Sequence, residues 1–533
     1  SLEANRIVVG APSPDDAADA ATLVVDEALL EQTGFANVSL TANRRGLLVA
    51  DGTDLELVQR NAVLNEGYLQ LATGSAVPFA AQTIVRPILE RGPVSLSLTS
   101  DLSTLLTIGD TAADLVFAPT ATVRLDPEAQ VTMTSEASLF FDGTLIAPSA
   151  DVSLTVVSSP QVESVPLYRP TQQIRLGENS VIDTRGQVLI QPDDQGFRIG
   201  RVTDGGNVAI QAQLGAVIAD PGSRVDVSGI SGVLDLTIDD PVVRVPVRVT
   251  GRAGSIDVQA AEAIVLGGEL LGRSAGTEDS EGGALSVTID QNLRAIDVAD
   301  PVVFPTFPDA PPRLVLTRSQ APVVLGRDTP LPGQLEGQAT VSEAMIEDGG
   351  FAQVSLIARD YISNQVSVGG TIEVENGVDL STSRSLTLAA ATVQMNGGSA
   401  SLNAPLVVLG SAQQPRRVTD VPATGNSVLN VSGNTLDLRG ALTLGGIGDF
   451  NLTATDAVRL RGELPEALER ELTGRLQTAG SVRIDAPLLY PTILSDYTFD
   501  LSGDTSTFTL LSDGAAAVPL SVAGSITVNA RDI

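Results

Sequence analysis

Cysteine, histidine, tryptophan and lysine are all missing from the 533 residues. Without cysteine there is neither a disulfide nor a thiolate metal site. Without histidine the usual nucleophile–base triads and the common zinc ligand sets are excluded. Because lysine is absent, every basic residue is an arginine, and 32 basic against 64 acidic side chains leave a net charge of −32. A chain of that sign is a poor match for phosphate backbones or anionic lipid, so nucleic acid and membrane are not expected as partners. Aromatic residues make up only 3%, although a compact globule of this length draws much of its core from large rings. No run approaches the ~18 apolar residues of a membrane span. The chain opens SLEANRIVVG, without an initiating Met or a signal peptide, and so reads as a processed product or an internal fragment.

What is present is alternation. Apolar and polar residues alternate through VSLSLTSDLSTLLTI (94–108), ATVRLDPEAQVTM (121–133) and GTIEVENGVDLS (370–381), and each run ends at Gly, Asn, Asp or Pro. That is the strand period of two with turn punctuation. The apolar supply is Val, Leu, Ile and Ala, which suits thin layers of stacked small side chains. Helical signals are confined to DEALLEQTG (26–34), SEAMIEDGG (342–350) and PEALERELTG (465–474), with Asp26 and Ser342 as N-caps and a closing Gly in each.

The chain also repeats itself. Val25 to Leu40 (VDEALLEQTGFANVSL) and Val341 to Leu356 (VSEAMIEDGGFAQVSL) are identical at ten of sixteen positions, 316 residues apart. GGSASLNAPLVV (397–408) matches AGSVRIDAPLLY (479–490), and GGNVAIQAQLGAVIA (205–219) matches AGSIDVQAAEAIVLG (253–267). Repetition with short strands predicts a solenoid in which each coil pairs with the coils above and below at ~4.8 Å. NSVIDTRG (179–186), GSRVDVSG (222–229) and NSVLNVSG (426–433) then read as corners. In them Asp183, Asp226 and Asn430 bond the neighbouring backbone, and Gly186, Gly229 and Gly433 supply positive φ. At ~20–25 residues per coil, the expectation is roughly two dozen coils and a rod on the order of 100 Å. Segments that break the rhythm predict insertions at 157–173, 236–251, 295–335, 411–425 and 493–515 on a continuous 1–533 helix, the last as a hairpin around Gly503-Asp504.

GGNVAIQAQLGAVIADPGSRVDVSG, AGSIDVQAAEAIVLGGELLGR, GFAQVSLIARD and LNAPLVVLG resemble the repeats of filamentous-haemagglutinin-like large exoproteins, over about residues 110–490. The resemblance implies an all-β, right-handed parallel β-helix, exported by two-partner secretion through an outer-membrane barrel and serving adhesion or surface coating. The family's NPNG- and NPNL-type secretion motifs are absent, as is RGD, so the chain matches central or C-terminal solenoid or a diverged branch. Freedom from cysteine suits a chain that crosses the periplasm unfolded.

Chemistry is sparse. No catalytic, cofactor-binding or metal residues are expected. Asp183-Thr184-Arg185, Asp193-Asp194 and Asp239-Asp240 are the acidic groups a polysaccharide lyase or hydrolase of this shape would use, and they read as solvated turn carboxylates. DGTDLE (51–56) and TEDSEGG (277–283) only distantly resemble calcium loops. Arg44-Arg45 and Arg416-Arg417 are the only double-basic steps, and local ion pairing is the expectation for both. Arg244 and Arg248 on a strand protected by Pro246, and Phe304 and Phe307 among prolines, are the candidate contact loops. The expected function is a secreted, non-catalytic, rigid adhesive or structural rod on the bacterial cell surface, with a glycan or cell-surface receptor as partner. A carbohydrate-active β-helix enzyme and a self-assembling fibre or surface-layer subunit stay open as alternatives. Both ends read as ordinary coil without a polar cap, so continuation of the chain or end-to-end stacking is expected.

Overall fold

The computed structural model describes the chain apart from residues 33, 77–79, 102–112, 158–160, 163–164, 169, 238–242, 277–281, 292–294, 297–309, 320–322, 324, 328, 364–365, 412–424, 465–470, 513–518 and 520. The chain folds as a parallel β-helix. One face is a sixteen-stranded sheet that begins at Thr22–Val25 and ends at Ser525–Asn529. A second face belongs to an eighteen-stranded sheet, and a third is a six-stranded sheet running from Asp54–Leu57 to Glu269–Leu271. Sixteen rungs at ~4.8 Å give a rod of about 75 Å. This is shorter than the coil count read from the sequence, because hairpins lengthen many turns: Thr371 and Thr392 are neighbours in adjacent coils, but so are Val217 and Ile264.

Inward positions form aliphatic columns. On the sixteen-stranded face, Leu115, Leu139, Ile174, Val217 and Ile264 are register partners on successive rungs, and each is 0% exposed. Each such side chain contributes about 1.5–3 kcal/mol by leaving water. The few rings are concentrated. Phe117 and Phe141 are partners on adjacent rungs with centroids 4.6 Å apart, and Tyr497, Phe499 and Phe508 cluster near the C-terminal end.

The third face is built differently along the rod. Beyond Glu269–Leu271 its place is taken by helix Glu343–Gly349, which packs between that strand and Asp379–Ser381. Helix Glu27–Gln32 sits in the same way beside Asp54–Leu57. These are the two repeat segments found in the sequence. Asp26 Oδ1 accepts from Ala28 N at 2.7 Å, Ser342 Oγ accepts from Met345 N at 3.2 Å, and Gly350 closes the second helix at φ +71°. A short helix at Pro14–Ala18, capped by Ser13, was not anticipated. Of the third expected helix (465–474), residues 465–470 lie outside the described residues, and its end is corrected, since 472–474 open the strand Leu472–Thr478 of the sixteen-stranded sheet. Further along, Ser427–Arg439 and Ile447–Arg461 are single long strands that cover two faces each, bending at Gly433 in the first.

Antiparallel hairpins leave the coil. Gln161–Val162 pairs with Val165–Tyr168, and Ser231–Thr237 pairs with Arg244–Thr250. Others connect Arg60–Leu64 with Ala81–Val85, Val188–Pro192 with Arg198–Val202, and Tyr361–Ser363 with Val366–Val368.

Two expected insertions need correction. Within 295–335, Arg313–Thr317 is a rung of the sixteen-stranded sheet, with Leu314 and Leu316 fully buried. It lies above Gln338–Ser342 although it precedes that strand in sequence. Within 493–515 there is no hairpin at Gly503-Asp504: Ser495–Leu501 and Phe508–Leu511 pair in parallel with different sheets, so this turn is a corner. Of 411–425, residues 412–424 lie outside the described residues.

Candidate functional site

Asp183 and Asp226 occupy the same place on successive rungs of the six-stranded face, and each ends its strand. Arg185 binds Asp183 through two nitrogens, at 2.9 and 2.6 Å, and lies 3.8 Å from Asp226. Arg224 reaches Asp226 at 2.8 Å. Burial alone would push the Asp226 carboxyl up, but hydrogen bonds from Ser228 and Arg224 outweigh it and hold the group below the usual carboxylate range. Both carboxylates are thus engaged, at the ends of their strands, by an arginine and by the backbone N–H two residues on.

The glycines beside them serve for a different reason than expected. None of Gly186, Gly229 and Gly433 has positive φ. A Cβ at Gly186 would stand 2.4 Å from the Thr203 carbonyl oxygen, at Gly229 2.5 Å from that of Gly251, and at Gly433 2.1 Å from that of Ala404. Close backbone approach is what excludes a side chain here. Asn430 is not a corner at all. It sits inside Ser427–Arg439 between Ser401 and Asn451, and its Oδ1 accepts from Asn451 Nδ2 at 3.0 Å.

Both candidate arginines of the flank are engaged within the molecule. Arg244 reaches Asp193 at 2.7 Å, with its guanidinium 5.2 Å from the Phe197 ring centroid. Burial pushes the Asp193 carboxyl up, but the N–H groups of Phe197 and Gln195 and the Arg244 charge bring it below its ordinary range. Arg248 donates to Ser231 Oγ at 3.0 Å. Arg198 grips Asp235 through two nitrogens, so the hairpins 188–202 and 231–250 are tied side by side. Phe304, Phe307, Asp239 and Asp240, with Arg416-Arg417, lie outside the described residues. Among the described residues no three acidic side chains gather as a metal would require, and no helix is long and apolar enough to cross a membrane.

Sequence reasoning missed a cavity of about 490 Å³ on the outer side of the sixteen-stranded face. Its floor is an outward column, Val116, Phe140 and Arg175, on successive rungs. Over it runs a strap from the 295–335 segment. Leu325 packs on Ala216, Ile218 and Ala263, Gln173 Nε2 donates to the Arg327 carbonyl at 2.7 Å, and Leu331 N donates to Pro170 O at 3.1 Å. The Arg327 guanidinium carbon stands 3.9 Å above the Phe140 ring centroid, and Asp114 is 3.8 Å away.

Arg175 is clamped to Asp220 at 2.6 and 3.0 Å, while its Nη1 is buried without a hydrogen-bond partner among the described residues. Asp142 and Glu178 stand at the rim. Asp142 Oδ1 accepts from Asn179 N at 2.9 Å. Gly177 lets the Asp142 side chain lie against its backbone, since a Cβ there would stand 2.1 Å from Asp142 Oδ1. The signal was present in SLFFDGTLI (138–146): alternation with two adjacent phenylalanines forces one of them outward.

No family model matches the chain, and neither the curated proteins nor the solved structures contain a match to it.

Proposed function

We propose that the chain is the stiff shaft of a secreted bacterial surface exoprotein of the filamentous-haemagglutinin type, acting by adhesion and display and not by catalysis. The observation that carries this reading is the combination of continuous parallel ladders with antiparallel hairpins thrown out from their flanks. Ladder hydrogen bonding fixes the spacing of the hairpins along a rigid axis, and repeated weak contacts from such a scaffold add up as avidity. Arginine pairs engage the carboxylates of Asp183, Asp226, Asp235 and Asp437, which favours a structural use of these four groups. An outer-membrane barrel is the partner during export, a cell-surface receptor or glycan the partner afterwards, and end-to-end association a further mode.

The test is adhesion of beads coated with the whole chain to epithelial and bacterial cells. A version in which 190–200 and 236–245 are shortened to Gly-Ser turns serves as comparison. Binding by the whole chain that drops in the shortened version supports the reading. Absence of binding by the whole chain, or release of unsaturated products from polyuronates, overturns it.

A further inference from the structure

We propose that the cavity beneath the Leu325–Arg327 strap is a binding site for a neutral saccharide of one or two rings. The inference deepens the adhesive reading and rests on it for its purpose, but not for its physical basis.

A sugar ring makes three demands at once. Its C–H face needs apolar surface, its hydroxyl hydrogens need acceptors, and its hydroxyl oxygens need donors. Pro119, Pro221 and Leu325 provide the first. The second comes from Asp142 Oδ2 and the Glu178 carboxylate, which accept no hydrogen bond from the described residues. Arg327 provides the third, because its guanidinium meets Asp114 only at 3.8 Å and keeps N–H groups to offer. Stacking on Phe140 fixes this guanidinium before a ligand arrives, which lowers the ordering cost of binding. The floor beneath is equally fixed, since Arg175 is locked to Asp220 by a two-pronged ion pair.

Size and charge narrow the class. A volume of about 490 Å³ lies within the roughly 300–1,000 Å³ of small-molecule sites and is too small for a folded partner. Three lining carboxylates face two lining arginines in a chain of net charge −32, so the site repels uronate, sialylated or phosphorylated ligands. A basic peptide meets the opposite obstacle, because Arg327 already holds the cation seat above Phe140.

The test is calorimetric titration of the whole chain with lactose, maltose, cellobiose and N,N′-diacetylchitobiose, with digalacturonate and penta-arginine as charged probes. At least one neutral disaccharide is expected to bind. Arg327→Ala and Glu178→Ala, both at exposed positions, are each expected to weaken that binding by about tenfold, the loss of one charge-assisted hydrogen bond. Arg475→Ala, at an exposed position far along the sixteen-stranded face and paired only with Asp500, leaves it unchanged, and circular dichroism of all variants matches the parent. The proposal is overturned if no neutral disaccharide binds at about 20 mM. It is equally overturned if both cavity variants bind as the parent does, or if either charged probe binds more tightly. Sugar binding by a chain whose beads ignore cells sinks the adhesive reading alone. Adhesion unaffected by free disaccharide, from a chain that binds none, sinks this site alone.

Discussion

Asp437 and Arg459 face each other across one rung: they are register partners, and the guanidinium holds both carboxylate oxygens, at 2.6 and 2.9 Å. The Asp437 side chain is 1% exposed, and Arg461 closes on it at 3.2 Å. Removing the main partner leaves a buried carboxylate with one remaining cation. Arg459→Met is therefore expected to lower stability by about 1–3 kcal/mol, read as a reduced urea midpoint at unchanged slope. Adding Asp437→Asn to it should restore part of the loss. A double variant weaker than Arg459→Met would contradict this account.

Two carboxyl groups pull in opposite directions in acid. Asp226, held low by Ser228 and Arg224 against its burial, adds stability above the unfolded pKa of about 3.9, and that stability fades as pH falls through the lower folded value. Asp360 is raised by burial although Gly370 N and Ser411 Oγ donate to it at 2.6 and 2.8 Å. Its ionised form costs stability at neutral pH, and the cost disappears as pH falls through the raised folded value. Asp226→Asn should lose stability at pH 7 and show a shallower acid decline, whereas Asp360→Asn should remove the part of the stability loss between acid and neutral pH that comes from ionising this buried group. Urea midpoints between about pH 3 and 7 decide the matter.

The Tyr497 ring is 1% exposed, and its hydroxyl finds no partner among the described residues. Burial pushes its ionisation well above the ordinary phenol range. Tyr497→Phe is expected to be neutral or to stabilise by about 1 kcal/mol. In the parent, stability should fall above about pH 10, where only the unfolded chain ionises this ring, and the substitution should reduce that fall. A destabilised Phe variant would reveal a hydrogen bond that the packing does not show.

Glycines divide into two kinds with different tolerance. Gly229→Ala drives a Cβ to within 2.5 Å of a carbonyl oxygen and should cost about 2 kcal/mol or more, with a lower melting temperature. Gly196, at φ +82° on a hairpin tip, has nothing within 4 Å, so Gly196→Asn should melt like the parent. Equal melting temperatures for the two variants would refute the distinction.

Arg244 braces the 193–197 hairpin tip through Asp193 and Phe197. Arg244→Ala should speed proteolysis of that tip several-fold while leaving the global melt in place. Unchanged cleavage would mean the backbone alone shapes the tip.

The sequence is legible wherever the period of two speaks for itself. VSLSLTS places Leu96 and Leu98 inside and Ser95 and Ser97 outside, as found. Capping chemistry likewise marked the helix after Ser342. What local pattern does not encode is which sheet a strand joins. NSVIDTRG and NSVLNVSG share a spacing, yet one ends a rung of the six-stranded face and the other runs through a thirteen-residue strand. A corner and a hairpin reversal also use the same residues, so Gly503-Asp504 by itself does not say which of the two it makes. The cavity depended on contacts between Phe140 and Arg327, 187 positions apart, and no period reports such a meeting.

Where helix Glu343–Gly349 stands in for a strand, the coil is joined to its neighbours by two ladders instead of three. Pulled along its axis, the rod should therefore yield at that level, and at helix Glu27–Gln32, before its three-ladder coils do. The coils between these two levels would remain folded, so the molecule would lengthen in steps under load.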